Sequence, residues 1–117
     1  DVNAVTENKW TALHFAAEKG HVDVVKVLLR NGADVNAVRK NKCTALHFAA
    51  KWGHVDVAKV LLQNGADVNA ASEDGRTALH WAAQDGQADV AKVLLENGAT
   101  KTKIWKRLKR LNLYSLV

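Results

Sequence analysis

The chain has 117 residues, with 17 Lys and Arg against 12 Asp and Glu, for a formal net charge of +5. A chain of this length forms one compact domain, and 48% apolar with 25% charged residues argues against intrinsic disorder. The charge is unevenly placed: residues 1–99 carry 11 basic and 12 acidic side chains, whereas residues 100–117 carry six basic and no acidic ones. A nearly neutral body with a cationic tail argues against a uniformly basic nucleic-acid-binding domain.

The cysteine content and the hydropathy pattern limit the class of protein further. The single cysteine, Cys43, excludes an intrachain disulfide and a zinc site made of several cysteines. No segment approaches 18 consecutive apolar residues, and residues 1–4 do not have the character of a secretory signal peptide. We therefore expect a soluble chain in a reducing, cytoplasmic compartment.

Three motifs recur at a constant spacing of 33 residues: DVNA, TALH and NGA, which begin at residues 1, 11 and 31 in the first copy. Of the 33 positions, 20 are identical in all three copies. Together with TALHFAA or TALHWAA, GHVDV, KVLL and NGADVNA, this pattern resembles the ankyrin-repeat family. The resemblance covers residues 1–99 as repeats 1–33, 34–66 and 67–99. It implies an all-α solenoid of stacked helix–turn–helix pairs with projecting β-turn loops.

Each repeat is predicted to contain two helices separated by a glycine. In the first repeat Thr11 is a suitable N-cap, because its hydroxyl can accept a hydrogen bond from a free backbone N–H, and the helix extends to Lys19. Gly20 ends this helix, since glycine adopts a positive φ at the lowest cost. A second helix spans about residues 23–31 and is apolar on most sides, so it needs neighbours on both flanks.

The segments 34–43 and 67–76 are predicted to be extended turns that project from the helix pairs. Gly75 stands where the family commonly has a turn glycine, whereas Lys9 and Lys42 fill that place in the other repeats. A side chain disfavours positive φ, so these two turns are expected to be strained or differently shaped.

Three histidines, His14, His47 and His80, recur at the same period. Successive repeats stack about 10 Å apart, which is too far for imidazoles that share a metal ion at bond lengths of about 2 Å. The resemblance implies instead that each histidine ties its repeat to the next by hydrogen bonds, with the threonine three residues earlier as a partner. We therefore expect a structural role for these histidines and no metal site.

Positions that differ between the repeats are free of the demands of stacking and are candidates for binding. They cluster at the turn tips and at the end of the first helix, which in the ankyrin family line a concave face where protein partners dock. Simple drift of surface positions is the alternative explanation. The candidate partner-binding residues, which include the Trp and Arg types enriched at hot spots, are Trp10, Arg39, Lys40, Lys42, Cys43, Lys51, Trp52, Glu73, Asp74, Arg76 and Asp85.

The spacing of nucleophiles and acids does not favour catalysis. Cys43 and His47 are four residues apart and could share a helix face, which is the geometry of a weak nucleophile–base pair. The other repeats keep the equivalent histidine although they have Trp10 and Arg76 in place of the cysteine. The histidine therefore does not depend on a cysteine. No phosphate-binding glycine loop or paired-carboxylate site occurs at a useful spacing. The sequence indicates a non-enzyme without a cofactor.

The tail, residues 100–117, is predicted to form a basic amphipathic helix, with apolar residues at helical spacing and four cations on the other side. The favoured interpretation is a cap on the last repeat, which carries six acidic and two basic side chains. Two alternatives stay open. Residues 103–117 could attach to an anionic membrane or a calmodulin-like groove, or they could bind nucleic acid.

At the other end of the stack, no polar cap precedes the first repeat. The apolar surface around Phe15 and Val22 is expected to be open, which favours self-association or a further upstream repeat. Trp81 replaces Phe15 and Phe48 at a packing position and is expected to be core. The near identity of the repeats fits either recent duplication or consensus-based engineering. The sequence thus predicts a non-catalytic protein-interaction module or scaffold, with attachment through the tail as the alternative.

Overall fold

The computed structural model describes residues 1–100, which form six α-helices and no strand. The first, third and fifth helices pack side by side in one layer, and the second, fourth and sixth form a second layer. The predicted all-α repeat solenoid is confirmed. In chain order the helices are α1 (Ala12–Lys19), α2 (Val22–Arg30), α3 (Ala45–Trp52), α4 (Val55–Gln63), α5 (Ala78–Gln84) and α6 (Ala88–Glu96).

The helices begin and end close to the predicted residues. Thr11 caps α1, its hydroxyl accepting a hydrogen bond from the backbone N–H of His14. Gly20 ends α1 at φ 75°, and a Cβ added there would lie 2.6 Å from Nδ1 of His54. Glycine is therefore required both by the left-handed backbone and by the next repeat. The second helix begins at Val22 and lies within a residue of the prediction at each end.

The core consists of leucine, valine and alanine side chains that recur at the repeat period. Leu13, Leu46 and Leu79 of the three TALH motifs are 2% exposed or less. Alanines such as Ala49 and Ala82, which are fully buried, let successive first helices approach closely. Many identical positions thus lie in the interior, where every repeat meets the same neighbours, whereas others, such as Asp34, Asn36 and Lys59, are exposed.

Buried histidines tie each repeat to the next. Nδ1 of His14 accepts a hydrogen bond from the backbone N–H of Thr11 at 3.0 Å. An N–H can only donate, so Nδ1 is unprotonated and Nε2 carries the proton, which it donates to the carbonyl of Cys43 at 3.2 Å. His47 has the same arrangement and donates to the carbonyl of Arg76 at 2.9 Å. The neutral imidazole therefore joins a helix start to the end of the following turn.

Burial lowers the pKa of both His14 and His47, although the hydrogen bonds to the carbonyls oppose this effect. A proton added at Nδ1 would face the backbone N–H that caps the helix, so the geometry also disfavours the charged form. In the third repeat, Nδ1 of His80 lies 3.2 Å from the backbone N of Thr77. The helix caps of all three repeats thus use the same imidazole nitrogen.

A second set of hydrogen bonds between repeats was not predicted from the sequence. Nε2 of His54 donates to the carbonyl of Glu18 at 2.9 Å, and the Gln87 amide donates to the carbonyl of Lys51 at 3.2 Å. Each side chain donates to a carbonyl in the last turn of the first helix of the preceding repeat, where the carbonyls have no partner within the helix. Glutamine can replace histidine at this position because only a donor of similar reach is needed.

The turns project as predicted, and their tips are hydrogen-bonded to one another. The backbone N–H of Lys40 donates to the carbonyl of Asn8 at 3.2 Å, and that of Glu73 donates to the carbonyl of Asn41 at 2.8 Å. Lys9 and Lys42 both have φ 62°, in the left-handed region that Gly75 occupies at φ 81°. The two lysine turns therefore carry the predicted backbone strain without a change of shape.

The predicted tail helix over residues 100–117 lies outside the described residues, except for Thr100. Within residues 1–100, no helix is long and apolar enough to cross a membrane. The choice between a cap and an attachment segment therefore stays a prediction.

We expect Lys42→Gly to stabilise the protein by about 0.5–1 kcal/mol, because glycine removes the cost of a side chain at positive φ but adds entropy to the unfolded chain. Urea unfolding measures the change. The reciprocal variant Gly75→Lys should destabilise the protein, and Lys40→Gly in the same turn serves as the control. A Lys42→Gly variant less stable than the wild type contradicts the strain.

We also expect the free energy of unfolding to fall as the pH is lowered from about 7.5 to about 5.5. The folded-state pKa of His14 and His47 lies below the reference value of 6.5, so the unfolded chain binds more protons and the stabilisation is lost below that value. The slope for each histidine is at most about 1.4 kcal/mol per pH unit. Urea unfolding at several pH values measures it, and His47→Gln should reduce the slope. A flat profile for the wild type rules out the explanation.

Candidate partner-binding surface

Four aromatic side chains form a continuous strip across the three repeats. Phe15 on α1 stacks on Trp10 with ring centroids 4.9 Å apart, and the same indole lies 4.7 Å from Phe48 on α3. Phe48 meets Trp81 on α5 edge to face at 6.0 Å. We call Phe15, Trp10, Phe48 and Trp81 the aromatic strip. Three of its members share one helical position in successive repeats, and this 33-residue spacing was the sequence signal that could have revealed it.

The aromatic strip belongs partly to the core and partly to the surface. Phe15 is 47% exposed and Phe48 only 7%, although both occupy the same place in their repeats. Trp10, predicted to be a surface contact, is partly buried between these two rings. Trp81, predicted to be core, also keeps part of its surface exposed. The strip therefore offers apolar surface that is already held in place by packing.

Two cations of the second repeat lie over the tryptophan rings. The guanidinium carbon of Arg39 is 4.7 Å from the centroid of Trp10, and Nζ of Lys51 lies 5.3 Å from Trp52 and 5.8 Å from Trp81. These distances allow cation–π attraction. Within residues 1–100, Nε of Arg39 is buried and has no hydrogen-bond partner.

Two clefts lie between the second and third repeats and share Trp81 and Asp74. The larger has a volume of about 370 Å³, and the other, towards the end of α5, has about 260 Å³. The larger is lined by Arg39, Asn41, Cys43, Ser72, Glu73, Asp74 and Trp81. The smaller is lined by Lys51, Asp74, Arg76, Trp81, Gln84 and Asp85.

The acidic wall of these clefts comes from the third repeat. The Ser72 hydroxyl donates to the carboxylate of Asp74, and this hydrogen bond, with a smaller contribution from the nearby charge of Arg76, lowers the pKa of Asp74. Nε of Arg76 lies 3.5 Å from the same carboxylate, and its Nη1 donates to Gln84 at 2.7 Å. The charges of Asp74 and Arg76 are thus largely satisfied within the repeat.

The placement of Cys43 corrects the prediction that it is a surface contact residue. Its side chain is 3% exposed, and Sγ faces the carbonyl of Asn41 at 3.9 Å. Burial raises the pKa of the thiol, so it is uncharged near neutral pH. Its equivalents in the other repeats are less buried, since Trp10 is partly buried and Arg76 is exposed. Cys43 therefore contributes to the base of a cleft and presents little surface to a partner.

The other predicted site residues lie at the turn tips or at the ends of the first helices. Arg39 and Trp10 are partly buried, and Trp52 is 52% exposed. The remaining residues are exposed and comprise Lys40, Lys42, Lys51, Glu73, Asp74, Arg76 and Asp85. Asn41, Ser72 and Gln84 belong to the variable turn-tip and helix-end positions that the sequence indicated, whereas the contribution of Phe48 to this surface was missed. We call the surface formed by the turn tips, the clefts and the aromatic strip the turn–helix surface.

Among residues 1–100, no group of three or more His, Cys, Asp or Glu side chains is placed to hold a metal ion. His14 and His47 use both ring nitrogens in hydrogen bonds within the protein. The arrangement of the turn–helix surface is suited to contacts with another molecule through aromatic, cationic and anionic groups.

Comparison with known families agrees with the architecture. A family model described as ankyrin repeats (3 copies) matches residues 1–72 and residues 38–104. The two matches together cover most of the chain, including all six helices. The chain belongs to the ankyrin-repeat family.

Proposed function

We propose that this protein is a non-catalytic module that binds a protein partner on the turn–helix surface. Ankyrin repeats are generally protein–protein interaction modules, and the family is typically non-enzymatic. The observation that carries the proposal is the aromatic strip beside the exposed Trp52. Aromatic and arginine side chains are enriched in the energetically dominant parts of protein interfaces.

The rigidity of the surface also supports binding. Trp10 is held between Phe15 and Phe48, and the second and third turns are anchored by the hydrogen bonds from His14 and His47. Side chains that are ordered before binding lose less conformational entropy when the complex forms. A partner therefore meets a surface that is already shaped.

We expect Trp52→Ala to weaken partner binding by about 2 kcal/mol, roughly 30-fold in Kd, while leaving stability nearly unchanged. The indole is 52% exposed and lies near the ammonium group of Lys51, so its removal leaves no buried cavity. Affinity capture with immobilised wild type identifies the partner, and calorimetry gives Kd for each variant.

The matched control is Lys59→Ala, which truncates an exposed side chain on α4, in the other layer. It should capture the same partner as the wild type. Equal affinity of Trp52→Ala and wild type excludes Trp52 from the interface, and loss of folding in Trp52→Ala shows that it belongs to the core.

A second candidate function, self-association through the first repeat, is favoured by the burial pattern. Val24 and Val27 are 49% and 51% exposed, whereas their equivalents Val57 and Val60 are 1% and 9% exposed. Phe15 adds to the same open end of the stack. An apolar face that is buried in later repeats by the preceding repeat is exposed in the first repeat of residues 1–100, and we propose a second copy of the chain to cover it.

If copies associate through this face, Val27→Glu should shift the protein to monomers by placing a charge in the apolar contact. Sedimentation velocity measures the oligomeric state. Val38→Glu, at a 47% exposed valine next to a turn, is the control and should leave the assembly unchanged. A wild type that stays monomeric at about millimolar concentration argues against self-association.

Attachment to a membrane, a calmodulin-like protein or nucleic acid through residues 103–117 is the remaining proposal. It rests on the sequence pattern of the tail alone, which has six cations and no acid from residue 100 onward. Steep weakening of binding with added salt would distinguish it from recognition by the aromatic strip.

A further inference from the structure

We propose that the partner presents a segment in which an acidic residue, a large apolar residue and a basic residue follow one another in that order along the turn–helix surface. The acidic residue meets Arg39 and Lys51 of the second repeat, the apolar residue meets Trp81, and the basic residue meets Glu73 and Asp85 of the third. This inference rests on the proposed function and specifies the chemistry of the partner.

The walls of the two clefts carry opposite charges. The larger cleft is lined by Arg39 of the second repeat and Glu73 of the third, and the smaller cleft by Lys51 of the second repeat and Asp85 of the third. The second repeat has five basic and two acidic side chains, and the third has two basic and six acidic ones. Trp81 lines both clefts, so the boundary between the two charge types runs past its ring.

The charges that line the clefts beside Trp81 are mostly not neutralised by ion pairs within the protein. Within residues 1–100, the ion pairs are those of Lys19 with Glu18 and of Arg76 with Asp74. The cations of Arg39 and Lys51 lie over aromatic rings, and neither forms an ion pair with a carboxylate of the described residues. Opposite charges on a partner would therefore find unpaired groups on both sides of Trp81.

The distance between neighbouring repeats sets the spacing of the charged residues on the partner. Adjacent repeats lie roughly 10 Å apart, the usual distance between packed helices. An extended chain advances about 3.3 Å per residue, so it crosses one repeat in about three residues. The acidic and basic residues of the partner are thus expected about three positions apart, with the apolar residue between them.

Calorimetric titration of two synthetic peptides of identical composition tests this order. In EEELFLKKK the charges are segregated on the two sides of the apolar block, and in EKKLFLKEE lysine stands on both sides of that block. We expect the segregated peptide to bind about five- to tenfold more tightly, with affinity that falls as salt is added. Lys51→Glu and Asp85→Lys should each reduce this preference, whereas Lys26→Glu on α2 is the charge-matched control and should not.

The direction of the bound peptide provides an independent measurement. A nitroxide at the acidic end of EEELFLKKK should broaden the amide resonances of residues 39–42 and Lys51 more than that of Asp85. Greater broadening at Asp85, or equal broadening at both, overturns the inference.

The failure of this inference can be told apart from failure of the proposed function. If both peptides bind with equal affinity and Trp52→Ala binds neither, the turn–helix surface binds peptides and only the charge order is overturned. Failure of both peptides to bind at about 1 mM also overturns the charge order. In that case the capture experiment with Trp52→Ala still decides whether the surface binds a protein.

Discussion

The neutral imidazole of the repeated TALH motif is the group on which the rest of the structure depends. His14 and His47 each accept a hydrogen bond from the N-terminal backbone of their own helix and donate one to the turn that opens the next repeat. One side chain thus caps a helix and anchors a turn. Both functions need one protonated and one unprotonated ring nitrogen, which burial favours by lowering the pKa.

This anchoring explains how a rigid interior carries a variable surface. The carbonyls that accept the histidine hydrogen bonds belong to Cys43 and Arg76, so the anchor uses the backbone and places no demand on the side chain at that position. The turn side chains can therefore differ between repeats without loosening the stack. Arg39 takes the place of Thr6 and Ser72 in the other turns and extends over Trp10 instead of forming their hydroxyl–backbone hydrogen bond. Variation at these positions changes the chemistry offered to a partner and leaves the fold unchanged.

The charge of the protein is arranged along the stack, and this arrangement has consequences for recognition. The second repeat is cationic and the third is anionic, and the boundary between them coincides with the clefts beside Trp81. Coulomb interactions across such a boundary favour one orientation of a charged partner over the other. The net charge of the whole chain conceals this polarity, because charges of opposite sign in neighbouring repeats cancel in the sum.

The sequence by itself determined the repeat, the all-α architecture and the helix limits to within a residue or so, because these follow from local chemistry repeated every 33 residues. It left two possibilities for the turns of Lys9 and Lys42, and the structure shows the strained one, with positive φ. Only the tertiary structure decided which variable residues are surface. Cys43 is buried against its predicted place, and Phe48 is 7% exposed where the equivalent Phe15 is 47% exposed, because burial depends on whether a neighbouring repeat covers the position. Other features likewise join residues that lie tens of positions apart. They are the aromatic strip, the hydrogen bonds of His54 and Gln87 to the preceding repeat, and the clefts beside Trp81. Their geometry is set by how the repeats stack, which no single repeat contains.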